Sequence, residues 1–403
     1  MIKKWLVVFS SVAFLAFLLA SIPHAMAQAT YKWPGDLLIT TPAVGTGSHA
    51  STAAWGSIME RMTGMKVRVL PDNSEGSRMQ RLIGGEVLLN SASQTEPLTY
   101  AEGLEGFLEL PKGDMRVIWH HNDTPWGWAV RGDSELKTIY DIKKSLEAGK
   151  KVRVAVNTSS ASMIIWSEQV IPAFLGIGEN KELMKNYIRV PLGSYPANVK
   201  SIAEGKADVA MVATISSVTY EIEAHPKGLR WLDKPLADKK GWAEVIKLRP
   251  LTIPSKLGIG VKSAIGREAW VSNFLYWGMA KTDPELAYQL AKWLHQNFSA
   301  YKDAHALCAR MSMDLFREFL DYTGAPIHEG TIRYLKEIGK WTAKDDIWNQ
   351  EAIKLMARYI DAWKKASAEA HEKKIKIAFD NKEWESLWNR YVKDYPKFKV
   401  RLE

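Results

Sequence analysis

Apolar and polar positions in the first half of the chain switch between two periods. Short runs of apolar and β-branched residues at 37–41, 66–70, 87–90, 116–119 and 128–131 read as strands, and residues 51–62 and 77–82 repeat their apolar positions at helical spacing. Such alternation predicts a mostly parallel sheet covered on both faces. After Arg131, Gly132 and Asp133 a second unit of the same kind begins, with strands at 151–156, 187–190 and 207–213 and helices at 163–174 and 195–204. Past Pro250 the character changes. Residues 252–254 and 258–261 read as a return crossing, and from Glu268 onward the pattern is almost wholly helical. Asp283 and Pro284 form an N-cap and a proline at the first helical position. The stretch 342–403 is helical, charged and carries Trp348, Trp363, Trp384 and Trp388. No internal repeat stands out.

The N-terminus bears on location. Lys3 and Lys4 precede an apolar stretch over 5–20, and Ala25, Met26 and Ala27 make an AxA-type cleavage site before Gln28. Residues 1–27 therefore read as a secretory signal peptide, and no later run is apolar enough to span a bilayer. Losing Lys3 and Lys4 takes the net charge from +9 to +7. Basic residues are scattered among acids with no aromatic-interleaved run, so nucleic acid is not an expected partner. Only one cysteine is present, Cys308, in a helical pattern where a buried, inert thiol is expected. That count also excludes an intrachain disulfide and thiolate-rich metal sites.

Polar residues collect where strands end. The loop after residue 41 contains Gly45, Thr46, Gly47, Ser48, His49 and Ala50 and opens a helix, so free amides and the positive helix end converge there on an anion or carboxylate. It also fits the dinucleotide fingerprint GxGxxA, with Asp72 about twenty residues further on. After Leu70 come Asp72, Asn73, Ser74, Glu75, Gly76 and Ser77; after Asn90 come Ser91, Ser93, Gln94 and Thr95; after Val156 come Asn157, Thr158, Ser159, Ser160 and Ser162. Any one of these loops is a helix cap by default, but their recurrence at strand ends in two successive units points to a shared cleft. Trp126, between Pro125 and Gly127, is placed to wall a ligand with an apolar body.

Catalysis finds little support. Ser160 lacks a GxSxG elbow, the histidines lack HExxH spacing, and His120 and His121 alternate to opposite faces of a strand. His328, in the run Ala325 to Gly330, reads as ordering a loop rather than binding a metal.

In order along the chain, several features resemble the TAXI-type extracytoplasmic solute receptors of TRAP transporters. They are the Gly45–Thr46–Gly47 opening, the small polar loop 73–77 before a helix ending in Gly84, Gly85 and Glu86, and the strand 149–156 with its hydroxyl-rich loop. Residues 199–209, then Thr252, Ile253 and Pro254, and finally 326–330 with Arg333 and Tyr334, continue the series. The resemblance implies an α/β, two-lobed periplasmic binding protein fold of type II-like form; the C-terminal helical extension beyond Lys340 has no counterpart in that group. Lobe I would comprise 28–130 and 250–340, lobe II 131–249, and the extension 341–403. Members of that group are associated with glutamate, related amino acids or dicarboxylates, which Gly45 to His49 and Asn157 to Ser162 would hold here. Two departures stand out: His49 and Ala50 replace an aromatic pair, and the second-lobe loop lacks its usual glycines.

The expectation is a periplasmic, monomeric receptor without a cofactor or metal that captures a small carboxylate or amino acid and delivers it to membrane permease subunits. Ligand contacts are expected from Gly45, Thr46, Gly47, Ser48, His49, Asn73, Ser77, Ser93, Gln94, Trp126, Asn157, Thr158, Ser159, Ser160 and Thr214. Closure is expected to hinge near 128–131 and 248–254. The alternatives are an exported receptor serving a sensor protein and an NAD-dependent oxidoreductase built on the GxGxxA loop and Asp72.

Overall fold

Two long strands run the length of the main sheet, although the sequence disguises both. The computed structural model describes residues 31–104 and 106–401, so the export segment read over 1–27 lies outside the described residues. Among the described residues the strands are β1 (Asp36–Thr41), β2 (Lys66–Pro71), β3 (Leu89–Ser93), β4 (Met115–Arg131), β5 (Val152–Asn157), β6 (Tyr187–Leu192), β7 (Ala210–Ala213), β8 (Leu229–Leu232), β9 (Ile253–Lys256) and β10 (Glu268–Met279). Eight of them build one sheet in the order β2-β1-β3-β10-β4-β7, with β8 paired to β4 and β9 to β10.

Within this eight-stranded sheet only β2, β1 and β3 pair in parallel; β10 lies antiparallel to β3, β4 and β9, and β4 antiparallel to β7 and β8. The expectation of a mostly parallel sheet is thereby corrected, and so is that of a wholly helical chain from Glu268. Buried on both faces, β10 shows no alternation, yet Trp270, Val271, Phe274, Tyr276 and Trp277 are residue types that favour strands. The two strands expected at 116–119 and 128–131 are one, because Pro125 stays in register opposite Val271 and its carbonyl accepts from the Thr214 amide at 3.0 Å. Register shifts on the β10–β4 pair leave two residues of β4 unopposed, Ile118 and His121. β5 and β6 form a parallel pair joined to the β7 run through a Val154–Val209 bridge.

Helix starts follow the caps. Thr46 caps the helix Gly47–Thr63, Ser74 caps Glu75–Gly84, and Asp283 caps Pro284–Gln296 by accepting from the Glu285 amide at 2.9 Å. The single helix expected over 163–174 is instead Ala161–Ile165, a π-helical turn Trp166–Val170, and Ile171–Leu175. Cys308 is buried and opens a 3₁₀ turn rather than lying in an α-helix; burial pushes its thiol up to about 12. The C-terminal extension consists of helices Ala343–Glu372 and Lys382–Val392, the first closed by a Thr342–Asp345 capping box. Its tryptophans anchor it: Trp384 donates to the Leu108 carbonyl and Trp388 to that of Glu102, each at 3.1 Å.

Two aromatic cores lie along the sheet. In one, Trp55 meets the Tyr276 ring edge-on with centroids 5.4 Å apart and donates its indole N–H to the Tyr276 hydroxyl at 2.6 Å. In the other, Phe174, Trp242, Trp166 and Trp270 place their ring centroids 4.8 to 5.2 Å from the Nζ of Lys234, which is 0% exposed and has no hydrogen-bond acceptor. Trp166 and Trp270 stack in parallel at 4.1 Å. Among the described residues no helix is long and apolar enough to cross a membrane.

Candidate functional site

A partly open cavity of about 100 Å³ lies where the ends of β1, β3 and β5 meet the middle of β4 and β10. Four loops build its polar side. In the first, Thr46 holds extended backbone and accepts from the His49 amide at 3.3 Å, which starts the helix and turns its first amides to the cavity. A Cβ at Gly47 would stand 2.8 Å from Leu307 Cδ1 and 3.3 Å from Ile215, both on the cavity wall, so a larger residue there would push the Leu307 side chain aside. That helix has no acid in its first turn to neutralise its positive end.

The second and third loops bring charge. Arg78 is 2% exposed; its Nη2 pairs with Glu96, its Nη1 donates to the Asp72 carbonyl at 2.7 Å, and its Nε has no acceptor. Glu75 sits one helical turn before Arg78, also on the wall. Burial pushes the Glu96 carboxyl up to about 7 against the pull of Arg78, and Glu75 adds to the rise.

The fourth loop closes the cavity from the opposite side. Asn157 accepts from the amide and hydroxyl of Ser159 at 3.2 and 2.8 Å, and Ser160 accepts from the Met163 amide at 3.0 Å while donating to Glu75. The Ser162 amide donates to the second Glu75 oxygen at 3.2 Å, and Arg249 donates to the Ser162 hydroxyl at 2.6 Å. Trp126, Trp166, Tyr195, Met211, Ile215 and Phe274 supply the apolar wall. The Trp126 indole nitrogen is buried without a partner, whereas Tyr195 is fixed by the Ala213 amide and the Ser216 hydroxyl, both at 2.9 Å.

Of the residues singled out in the sequence, Thr46, Gly47, Ser48, Asn73, Ser93, Trp126, Asn157, Ser159 and Ser160 line this cavity. The others lie off the wall with local work. Gly45 takes φ +88° in the turn before the helix. His49 Nδ1 meets the Thr41 hydroxyl at 3.2 Å, and burial lowers its pKa. Ser77 donates to Asp72 at 2.6 Å. Gln94 bonds the Tyr322 carbonyl and Gly324 amide at 2.9 and 3.1 Å. Thr158 donates to the Leu192 carbonyl and Thr214 to that of Ile259.

Asp72, which the dinucleotide reading needs, is likewise off the wall, its carboxylate taken by the Ser74 amide and the Ser77 hydroxyl. His328 caps the helix Glu329–Glu337 through Nδ1, and His120 and His121 turn to different partners, Asn273 and the Ser51–Ser91 pair.

Sequence reasoning named Glu75 among the strand-end polar residues without counting it a ligand contact, and missed its partners Arg78 and Glu96, together with Trp166, Tyr195 and Phe274. The spacing of Glu75 and Arg78 puts them on one helix face, which was the available signal. The aromatic residues carried none, since a tryptophan in an apolar run reads as core.

The sequence model of the NMT1-like family matches residues 39–339. A search of curated proteins finds no sequence match. Among solved structures, the periplasmic binding protein BugD aligns over 81% of this chain and 98% of its own, with 12% identity and a TM-score of 0.48. The binding protein component of an ABC phosphonate transporter from Pseudomonas aeruginosa aligns over 83% and 99%, with 10% identity and a TM-score of 0.44. The periplasmic aliphatic sulphonate binding protein SsuA from Escherichia coli aligns over 92% of both chains, with 14% identity and a TM-score of 0.38.

Proposed function

The chain belongs to the NMT1-like family, and from that premise and the character of its cavity we propose that it is a periplasmic solute-binding protein that hands its solute to a membrane transporter. In this reading 28–130 with 250–340 form one lobe, 131–249 the other, and the cavity is the space between them. The transporter is of TRAP type, as the ordered series of loops suggests, and the solute is a small amino acid.

The observation that carries the solute class is the mixture of charges on the wall. Donors without partners, the Trp126 indole N–H and the Arg78 Nε, share the cavity with the amides at the start of helix Gly47–Thr63 and suit a carboxylate. Two buried carboxylates, Glu75 and Glu96, stand on the same wall with Arg78. A dicarboxylate would meet like charge there, whereas the ammonium of an amino acid would find acceptors.

Native mass spectrometry of protein purified without refolding tests the reading directly. A retained solute with the mass of an amino acid is the expected result, supported by a rise in melting temperature when that compound is added. No retained mass, and no thermal shift with any amino acid or dicarboxylate, would overturn it.

A further inference from the structure

Residues beyond the family match, which ends at 339, reach the back of the cavity. After helix Lys382–Val392 the chain turns back, and Phe398, 2% exposed, stacks on Tyr359 with ring centroids 5.8 Å apart. Its amide donates to Glu102 at 2.7 Å, at the end of helix Thr95–Glu102. The next carbonyl, of Lys399, lies so near Gly324 that a Cβ there would stand 2.6 Å from it and 3.0 Å from Leu251 Cδ2. Arg401 then pairs with the fully buried Asp345 and, at 3.5 Å, with Asp321.

A small second cavity of about 20 Å³ lies between this segment, helix Thr95–Glu102 and residues Leu248, Arg249, Pro250 and Leu251. Thr95 and Leu251 border both cavities and separate the second from the solute cavity. Gln94 fixes the other side of the contact by holding both Tyr322 and Gly324. One layer of side chains thus stands between Phe398 and the solute space.

We infer that residues 397–399 belong to the solute site as its rear support, with Phe398 a positioning residue that holds Leu251 and Thr95 in the wall. The solute arm of the following test rests on the binding-protein reading; the exchange arm does not.

Phe398→Ala, Phe398→Leu, Gly324→Ala and Tyr359→Ala in the full chain are compared with the parent by amide hydrogen exchange and by native mass spectrometry of co-purified solute. The expected result for Phe398→Ala is exchange at least about tenfold faster in 95–102 and 249–252, no change in helix Pro284–Gln296, and loss of retained solute. Phe398→Leu restores both. Gly324→Ala, whose Cβ would press on both the Lys399 carbonyl and Leu251 Cδ2, gives the exchange pattern of a displaced Leu251 for comparison, and Tyr359→Ala, which removes the ring that Phe398 stacks on, reproduces the Phe398→Ala pattern and serves if that variant does not fold. Faster exchange confined to 395–401, with solute retained as in the parent, would overturn the inference. A parent protein without any solute would instead count against the binding-protein reading, leaving the exchange pattern to decide this one.

Discussion

Glu75 and Ser160, 85 positions apart in sequence, are joined across the cavity by a hydrogen bond from the serine hydroxyl to the carboxylate. The Ser162 amide reaches the other oxygen of the same carboxylate at 3.2 Å. Glu75→Ala leaves a buried hydroxyl and amide without their acceptor, and a loss of about 1–3 kcal/mol in unfolding free energy is expected from urea denaturation. Glu75→Gln, which keeps one carbonyl, should lose less.

Glu96 gives a pH dependence whose sign follows from its surroundings. Its carboxyl is raised in the folded chain from the ordinary 4.5 to about 7, chiefly by burial. The stability it contributes is therefore complete below about pH 4.5 and is lost as the pH rises through about 7. Glu96→Gln, uncharged throughout, should flatten the urea midpoint across that window; an unchanged slope would assign it to other groups.

Removing the partner of that acid is a separate matter. Arg78→Met leaves Glu96 buried beside Glu75 with no guanidinium, at an expected cost of about 3–5 kcal/mol at a pH above the Glu96 transition. The deficit should shrink in acid, where Glu96 is protonated, as urea titrations on either side of the transition would record.

Lys234 should behave in the opposite way. With no acceptor among its four rings, its amine is held by burial far below the ordinary 10.5, so folding opposes its protonation. The stability lost to this group grows as the pH falls below about 10.5 and is recovered as the pH rises back through that value. Lys234→Met, of similar length and without a charge, is expected to stabilise the chain by about 1–4 kcal/mol at neutral pH and by much less above pH 10.5. Chemical denaturation at the two pH values measures the difference.

Trp126 tests the solute contact. Its indole N–H is buried on the wall without an acceptor, and Trp126→Phe keeps most of the apolar surface while removing that donor. Affinity for the retained solute, measured by calorimetry, should fall about tenfold, or roughly 1.4 kcal/mol. The melting temperature of the solute-free protein should be unchanged.

How much of this the sequence displays depends on how local the cause is. Caps and small loops are local: Thr46, Ser74 and Asp283 start the helices they appear to start, and the loops after β1, β3 and β5 contribute Thr46, Ser93 and Asn157 to the cavity wall. β10 is not local, because its character comes from being covered on both faces by segments far away in the chain. Gln94 and Thr214 carry the right chemistry for a wall but are turned to carbonyls at Tyr322 and Ile259, partners that no spacing rule reveals. Glu75 and Glu96 read as ordinary helix-start acids until the fold brings them both to Arg78.

The two unopposed residues of β4, Ile118 and His121, are the points where the strand can lose length without losing register. Deleting His121 alone would leave His120 opposite Leu275 and Asn122 opposite Phe274, so every other β4 position keeps its partner and its face, and Trp126 stays on the cavity wall. Deleting Ile118 would do the same between Val117 and Trp119, whereas loss of a paired residue such as Trp119 would shift every later position by one partner and turn it to the other face. In the course of descent this strand can shorten at these two positions far more readily than at any paired one.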